Sequence, residues 1–154
     1  MENRYTKQAR EALDAAEVYA KELKHPYIGT EHLLMGLRTS ISGVAAQVLE
    51  MNGLREEDVR KVVGELVSRV GDEPFSGRPK ESPRLKFILE EGRKMAERFR
   101  MPEVGTEHLL LAIVRDTDCV AARILITLNI NLQKIMQDCL TTIGGKSESS
   151  VRPW

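Results

Sequence analysis

Apolar residues recur every three or four positions along most of this chain, which is the period of one face of an α-helix. The first predicted helix carries Ala9, Ala12, Leu13, Ala16, Ala20 and Leu23 at this spacing. A helix in the second half carries Leu85, Ile88, Leu89, Gly92, Ala96 and Phe99. Three shorter apolar segments follow each of them. The pattern therefore predicts four helices in each half and an all-α fold.

The two halves are copies of one unit. A shift of 76 positions aligns residues 29–34 with residues 105–110, and both segments read Gly-Thr-Glu-His-Leu-Leu; we call them the first and second GTEHLL blocks. The alignment needs no gap from position 6 to position 67 of the first copy. Because each copy has apolar faces too large for four short helices to cover alone, we expect two pseudo-twofold-related four-helix repeats packed as one domain.

The composition between and after the copies predicts the domain boundaries. Residues 71–81 contain two glycines and two prolines, which are typical of a loop. Residues 144–154 begin with a Gly- and Ser-rich stretch of the kind found in flexible linkers. We therefore predict a first repeat at 1–70, a linker at 71–81, a second repeat at 82–143, and a flexible tail at 144–154 leading toward a missing downstream module.

Charge and cysteine content narrow the class of protein. Charged residues make up 30% of the chain but cancel to a formal net charge of zero, so no global field favours nucleic acid or an anionic membrane. Cys119 and Cys139 lack metal-ligand spacing and predict free thiols in a reducing compartment. The polar segment at 1–5 does not resemble a signal peptide. We expect a cytoplasmic protein.

The sequence offers little catalytic chemistry. Gly145-Lys146-Ser147 ends like a phosphate-binding P-loop, but Leu140 stands where that motif needs its first glycine. The three histidines form no zinc-helix pair, and neither cysteine has a counterpart in the first copy. Because a duplicated enzyme would duplicate its nucleophile, we expect no enzyme activity. We also expect no cofactor and no metal.

Two interpretations of the GTEHLL blocks remain open. In the structural one, Thr30 and Thr106 cap the second helix of each copy, as Thr6 and Ser82 cap the first. A glutamate then follows in the first turn, where it favours the helix dipole, and a histidine fixes a contact between helices. In the functional one, the blocks bind a ligand. The identity of all six letters favours it, because a cap tolerates several residue types.

With Gly-Thr-Glu-His-Leu-Leu at 29–34 and again at 105–110, the chain resembles the N-terminal domain of Clp-type AAA+ unfoldases, most closely the ClpC type. The resemblance covers about residues 3–143 and rests on the doubled GTEHLL block at this spacing. It also rests on Arg4-Tyr5-Thr6, on Ile28 and Met35-Gly36-Leu37 around the first block, on Val44-Ala45-Ala46 with its copy Val120-Ala121-Ala122, and on Ser82-Pro83-Arg84.

This resemblance implies a domain that binds substrates and adaptor proteins, in a parent protein with downstream ATPase modules and a protease ring. We expect the isolated domain to be monomeric and not to be an enzyme. An alternative from the same resemblance is a stand-alone accessory protein that binds and modulates a Clp ring. A separate hydrolase is poorly supported, because no nucleophile and base are visible.

Members of the ClpC type are known as readers of phosphoarginine, and the residues suggest how this chain would bind that group. A helix N-terminus with a hydroxyl and a cation attracts phosphate, and a nearby glutamate attracts guanidinium. We predict two sites, each within one copy. The first consists of Thr6, Lys7 and Glu31, and the second of Ser82, Arg84 and Glu107.

Overall fold

The fold is all-α, as predicted. The computed structural model describes residues 4–70 and 77–150, and these contain eight helices and two short strands. In chain order they are α1 (Lys7–Glu22), β1 (Tyr27–Ile28), α2 (Thr30–Thr39), α3 (Val44–Met51), α4 (Glu56–Val70), β2 (Lys80–Glu81), α5 (Pro83–Arg98), α6 (Thr106–Arg115), α7 (Val120–Thr127) and α8 (Leu132–Ser150).

The repeat is visible in the backbone. Each helix of the first half begins 76 residues before its counterpart, and the first three pairs also end at equivalent residues. Even the left-handed turn positions correspond, since Lys24 pairs with Arg100 and Gly53 with Asn129. The predicted organisation as two four-helix repeats is therefore confirmed.

The first two helices of each repeat form an antiparallel hairpin. The hydroxyl of Ser40, at the end of α2, donates to the carbonyl of Gln8 at the start of α1 over 3.3 Å. At mid-length, a Cβ on Gly36 would collide with the backbone carbonyl of Ala12. The alanine face of α1 permits this close approach, and it fixes the direction of α2.

One hydrophobic core runs through both repeats. It includes Leu33, Leu34 and Leu37 of α2 together with Leu109 and Leu110 of α6, all fully buried. The α2 helix contacts α5, α6 and α7, and α6 contacts α1 and α3. The two helices that carry the GTEHLL blocks therefore lie at the junction of the repeats.

Two short parallel strand contacts also join the repeats, and the helical pattern did not predict them. Strand β1 of the first repeat pairs with β2, so that Tyr27 faces Lys80 and Ile28 faces Glu81. Tyr5 forms an equivalent parallel bridge with Val104. Residues 80–81, predicted as part of the linker, belong to this pairing.

The predicted tail differs from the structure in the part that is described. Helix α8 continues to Ser150, so residues 144–150 of the predicted flexible tail are helical. Two consecutive glycines lower helix stability by about 1 kcal/mol each relative to alanine, which does not forbid a helix. Residues 71–76 of the predicted linker and residues 151–154 of the tail lie outside the described residues.

Candidate functional site

The glycines, and not the threonines, are the N-caps of α2 and α6. Gly29 and Gly105 have extended backbones at the cap position, and Thr30 and Thr106 are the first helical residues. The prediction that these threonines cap their own helices is therefore wrong. Sequence alone favoured threonine because hydroxyl side chains are common caps.

Each block threonine instead caps a helix of the other repeat. The Thr106 hydroxyl accepts a hydrogen bond from the Ala45 N–H in the first turn of α3, over 3.0 Å. The Thr30 hydroxyl accepts one from the Ala121 N–H in the first turn of α7, over 3.1 Å. We call these two bonds the cross-repeat caps. They satisfy helix-end donors that would otherwise be buried without a partner.

The block histidines close the turns that precede α2 and α6. Nδ1 of His32 accepts a hydrogen bond from the Gly29 N–H over 2.9 Å, and Nδ1 of His108 accepts one from the Gly105 N–H over 2.9 Å. Both histidines are 1% exposed. This is the reciprocal bond of a capping box, with histidine in the place usually taken by Glu or Gln.

His32 contacts a second buried histidine, and the second repeat has a methionine at that position. Its Nε2 lies 2.6 Å from Nδ1 of His25, and Met101 occupies the position equivalent to His25. Because His32 Nδ1 accepts from Gly29, the proton of the neutral ring is on Nε2, which donates to His25. Burial, followed by the charge of His25, lowers the pKa of His32 to about 3, and burial also lowers the pKa of His25.

The two block glutamates fold back over the cap glycines. A Cβ on Gly29 would collide with the carboxylate of Glu31, and a Cβ on Gly105 with that of Glu107. A side chain at either glycine would therefore require the glutamate carboxylate to move away. Glu31 is partly exposed and Glu107 is 3% exposed. Burial raises the pKa of Glu31, although a hydrogen bond from its own backbone partly opposes this shift.

The predicted phosphate-binding residues lie at helix N-termini. The Thr6 hydroxyl accepts from the Ala9 N–H over 3.0 Å, and the Ser82 hydroxyl accepts from the Leu85 N–H over 3.1 Å. Lys7 is exposed beside Thr6. Arg84 is exposed as well, and its guanidinium lies 3.0 Å from the Asp116 carboxylate.

The predicted grouping of these residues within one copy is wrong. Because α1 and α2 are antiparallel, Thr6 lies at the Ser40 end of the hairpin and Glu31 at the other end. Ser40 lies nine positions after Glu31, which is roughly 14 Å along the helix axis. In the second copy, the Arg84–Asp116 ion pair likewise places Arg84 at the end of α6 opposite Glu107.

The strand contacts bring the residues together across the repeats. The Thr6 N–H donates to the Val104 carbonyl over 2.9 Å, which puts the start of α1 next to the second GTEHLL block. The Ser82 N–H donates to the Ile28 carbonyl over 3.0 Å, which puts the start of α5 next to the first block. The structure thus groups Thr6 and Lys7 with the Glu107 turn, and Ser82 and Arg84 with the Glu31 turn.

The sequence did not predict that Ile28, Val104 and Asp116 contact the candidate site residues Ser82, Thr6 and Arg84. Ile28 and Val104 directly precede the blocks at equivalent positions, and this was the available signal. Nothing in the sequence pointed to Asp116, because the equivalent residue of the first repeat is Ser40 and the acidic side chain is not repeated.

Within residues 4–70 and 77–150, no cluster of three His, Cys, Asp or Glu side chains has a geometry that would hold a metal ion. No helix in the same ranges is long and apolar enough to cross a membrane.

Comparison with known proteins decides the family. The model of the Clp repeat N-terminal domain family matches residues 4–149. The chain belongs to this family.

Two ClpC proteins illustrate the similarity within the family. The chain is 37% identical over 150 residues to the negative regulator of genetic competence ClpC/MecB of Bacillus subtilis, covering 97% of the chain. It is 36% identical over 151 residues to the Clp protease ATP-binding subunit ClpC of Staphylococcus aureus. The chain spans only 18% of the length of each relative.

Solved Clp N-terminal domains share the fold. The N-terminal domain of the chaperone ClpD from Arabidopsis thaliana has a TM-score of 0.72 at 22% identity, over 91% of this chain and 97% of that one. A complex of the ClpV N-domain with a VipB peptide has a TM-score of 0.67 at 21% identity, over 88% of each chain.

Proposed function

We propose that this Clp N-terminal domain is a non-enzymatic substrate- and adaptor-binding domain of a ClpC-like ATP-dependent unfoldase, and that it reads phosphoarginine-marked proteins in the cytoplasm. The similarity to ClpC proteins supports the parent. The ClpV N-domain, which shares the fold, binds a VipB peptide, and this supports a peptide-binding role. We also propose that the domain binds adaptor proteins, and that its parent protein carries downstream ATPase modules and works with a protease ring.

The observation that carries the phosphoarginine proposal is the crossed grouping. At each of two places, a first-helix N-terminus with an adjacent cation meets the turn that holds a block glutamate. Helix N–H groups and a cation suit a phosphate. A carboxylate suits the guanidinium end of the same ligand, through charge-assisted hydrogen bonds. At each place, one repeat thus supplies the helix N-terminus and cation for the phosphate, and the other repeat supplies the carboxylate for the guanidinium.

The environment of Glu31, the glutamate of the first block, supports its proposed role in binding the guanidinium. Glu31 is partly buried, its pKa is raised, and it makes no salt bridge with the described residues. A guanidinium would supply the missing positive charge and bring that pKa down. We therefore propose one site of Ser82, Arg84 and Glu31, and a second of Thr6, Lys7 and Glu107.

Calorimetric titration of free phosphoarginine tests this proposal. We expect two sites in the wild type and one in either Glu31→Gln or Glu107→Gln, since a lost charged hydrogen bond of roughly 1.5–3 kcal/mol weakens binding about tenfold or more. Glutamine keeps the side-chain shape, which protects the buried Glu107 position. Glu65→Gln, a glutamate on α4, is the matched control.

Pairs of variants distinguish crossed sites from sites within one copy. Lys7→Ala with Glu107→Gln should leave one site intact, whereas Lys7→Ala with Glu31→Gln should weaken both. The reverse result would restore the grouping within one copy. Equal binding of plain arginine, or unchanged binding in Glu31→Gln with Glu107→Gln, would return both blocks to a purely structural role.

A further inference from the structure

A groove lies beside the proposed Ser82, Arg84 and Glu31 site. It has a volume of about 700 Å³ and runs along β1, β2 and the start of α5. The apolar part of its lining comes from Tyr27, Ile28, Pro79 and Pro83. Tyr27 is 55% exposed, which is unusual for a large aromatic residue in a chain with so few of them. An exposed ring in a groove with an apolar lining is a surface on which an extended peptide can lie.

The rim of this groove is weakly positive. Lys80 and Lys86 line it, are exposed, and form no ion pair within the described residues. Arg78 also lines it, but Glu17 lies 2.8 Å from its guanidinium and neutralises it. Glu81 contributes one negative charge. The two lysines therefore leave the groove with a net positive charge, which complements acidic side chains.

The groove is continuous with the proposed binding site. Ile28 lines the groove, and its carbonyl accepts the hydrogen bond from the Ser82 N–H. Glu81 and Pro83 flank Ser82 on either side and line the groove too. A peptide chain that leaves a group bound at Ser82 would enter the groove within one or two residues.

We propose that this groove binds the polypeptide segment next to the modified arginine and selects for acidic side chains there. The inference rests on the proposed phosphoarginine function and deepens it, because it gives the site a preference for sequence around the mark. The occupant is an extended peptide whose backbone lies over Tyr27 and whose carboxylates reach Lys80 and Lys86.

The second proposed site keeps exposed cations at the equivalent positions, since Arg4 corresponds to Lys80 and Arg10 to Lys86, but it lacks the aromatic surface of the groove. Glu103 stands at the position equivalent to Tyr27, and Lys7 stands at the position of Pro83. Glu103 therefore removes the aromatic ring over which the peptide backbone would lie at the first groove. The two proposed sites share the modified arginine and flanking cations but differ in this aromatic surface.

The test uses short phosphoarginine peptides that differ only in two flanking residues, Asp or Lys, titrated into the full chain carrying Lys7→Ala to weaken the other site. Exposed charge pairs are individually weak, so we expect the Asp peptide to bind about three- to tenfold more tightly. Lys80→Gln with Lys86→Gln should abolish that ratio, whereas Lys61→Gln, an exposed lysine on α4, should preserve it. Tyr27→Ser should weaken both peptides relative to free phosphoarginine.

The controls separate this inference from the proposed function. Equal binding of the Asp and Lys peptides, with free phosphoarginine still bound, would overturn the groove alone. Failure of free phosphoarginine to bind would overturn the proposed function. An unmodified Asp peptide that binds as tightly as the modified one would also overturn the inference, because the groove would then act without the mark.

Discussion

The first and second GTEHLL blocks have the same backbone bonds and different surroundings. In both, the histidine closes a glycine turn and the threonine caps a helix of the other repeat. The first block then adds a buried partner, His25, and leaves its glutamate partly exposed; the second has Met101 in that place and an almost fully buried Glu107. The threonine bonds join the repeats and the histidine bonds stay within each one. The surroundings of the two glutamates differ, and this difference can give the two proposed sites separate properties.

The largest expected difference between the repeats concerns the hairpin contact. Gly36→Ala would force a Cβ into the Ala12 carbonyl, and we expect it to cost about 3 kcal/mol of unfolding free energy. The equivalent residue of the second repeat is already Ala112, with Gly92 facing α6 in its hairpin. Ala112→Gly should therefore cost only about 1–2 kcal/mol, mainly through helix propensity. Urea denaturation measures both, and equal losses would show that the two hairpins pack alike.

The cross-repeat caps should differ less. Thr106→Val keeps the shape and removes the acceptor, leaving the buried Ala45 N–H unsatisfied, at a cost of about 2 kcal/mol. Gly43 offers α3 no side-chain cap, whereas the Cys119 sulfur accepts from Ala122 at the start of α7. Thr30→Val should therefore cost less than Thr106→Val.

Chemical denaturation of the threonine variants provides the measurement. Serine at either position keeps the hydroxyl and should restore most of the stability. Thr142→Val is the matched control, because that hydroxyl donates only to a carbonyl of its own helix. A loss in Thr142→Val as large as in Thr106→Val would contradict the importance of capping between repeats.

The smallest expected effect is a pH dependence that belongs to the first block. Because the folded pKa of His32 is about 3, below the ordinary 6.5, the unfolded chain binds the proton first. The contribution of neutral His32 is fully present above pH 6.5 and is lost as the pH falls toward 3. The slope is at most about 1.4 kcal/mol per pH unit, so the loss between pH 7.0 and 5.5 is about 1 kcal/mol.

Unfolding free energies at pH 7.0 and 5.5 test this linkage. His32→Gln can still accept from Gly29 and does not titrate, so its stability should fall less than that of the wild type between the two values. His25→Met copies the second repeat and should remove the His25 share of the slope. An unchanged slope in His32→Gln would show that other groups cause the acid sensitivity.

The sequence predicted the helices well because apolar spacing reports directly on a helical face. The starts of α1 and α5 were placed by Thr6 and Ser82, whose hydroxyls do cap those helices. The two-residue strands were missed, since a pair of residues is too short to show a period of two. Glycine caps were also missed, because glycine has no side chain that marks a cap, and the hydroxyl of the following threonine looked like the better candidate.

The crossed arrangement of the candidate sites could not be read from the repeat. Alignment of two copies shows that Thr6 corresponds to Ser82 and Glu31 to Glu107, and it leaves open which member of each pair meets which. The antiparallel hairpin decides this, since it sends the start of α1 away from Glu31. The bonds from Thr6 to Val104 and from Ser82 to Ile28 then place the start of each repeat's first helix next to the GTEHLL block of the other repeat.

The cross-repeat caps have a consequence for how the two halves associate. Thr30 reaching α7 and Thr106 reaching α3 are the same contact made in both directions, which is the isologous interface that two identical chains form across a twofold axis. A single repeat could complete its helix ends in this way only by dimerising. With both copies in one chain, that association is intramolecular and independent of protein concentration. Each half can also carry its own substitutions, which a homodimer does not allow.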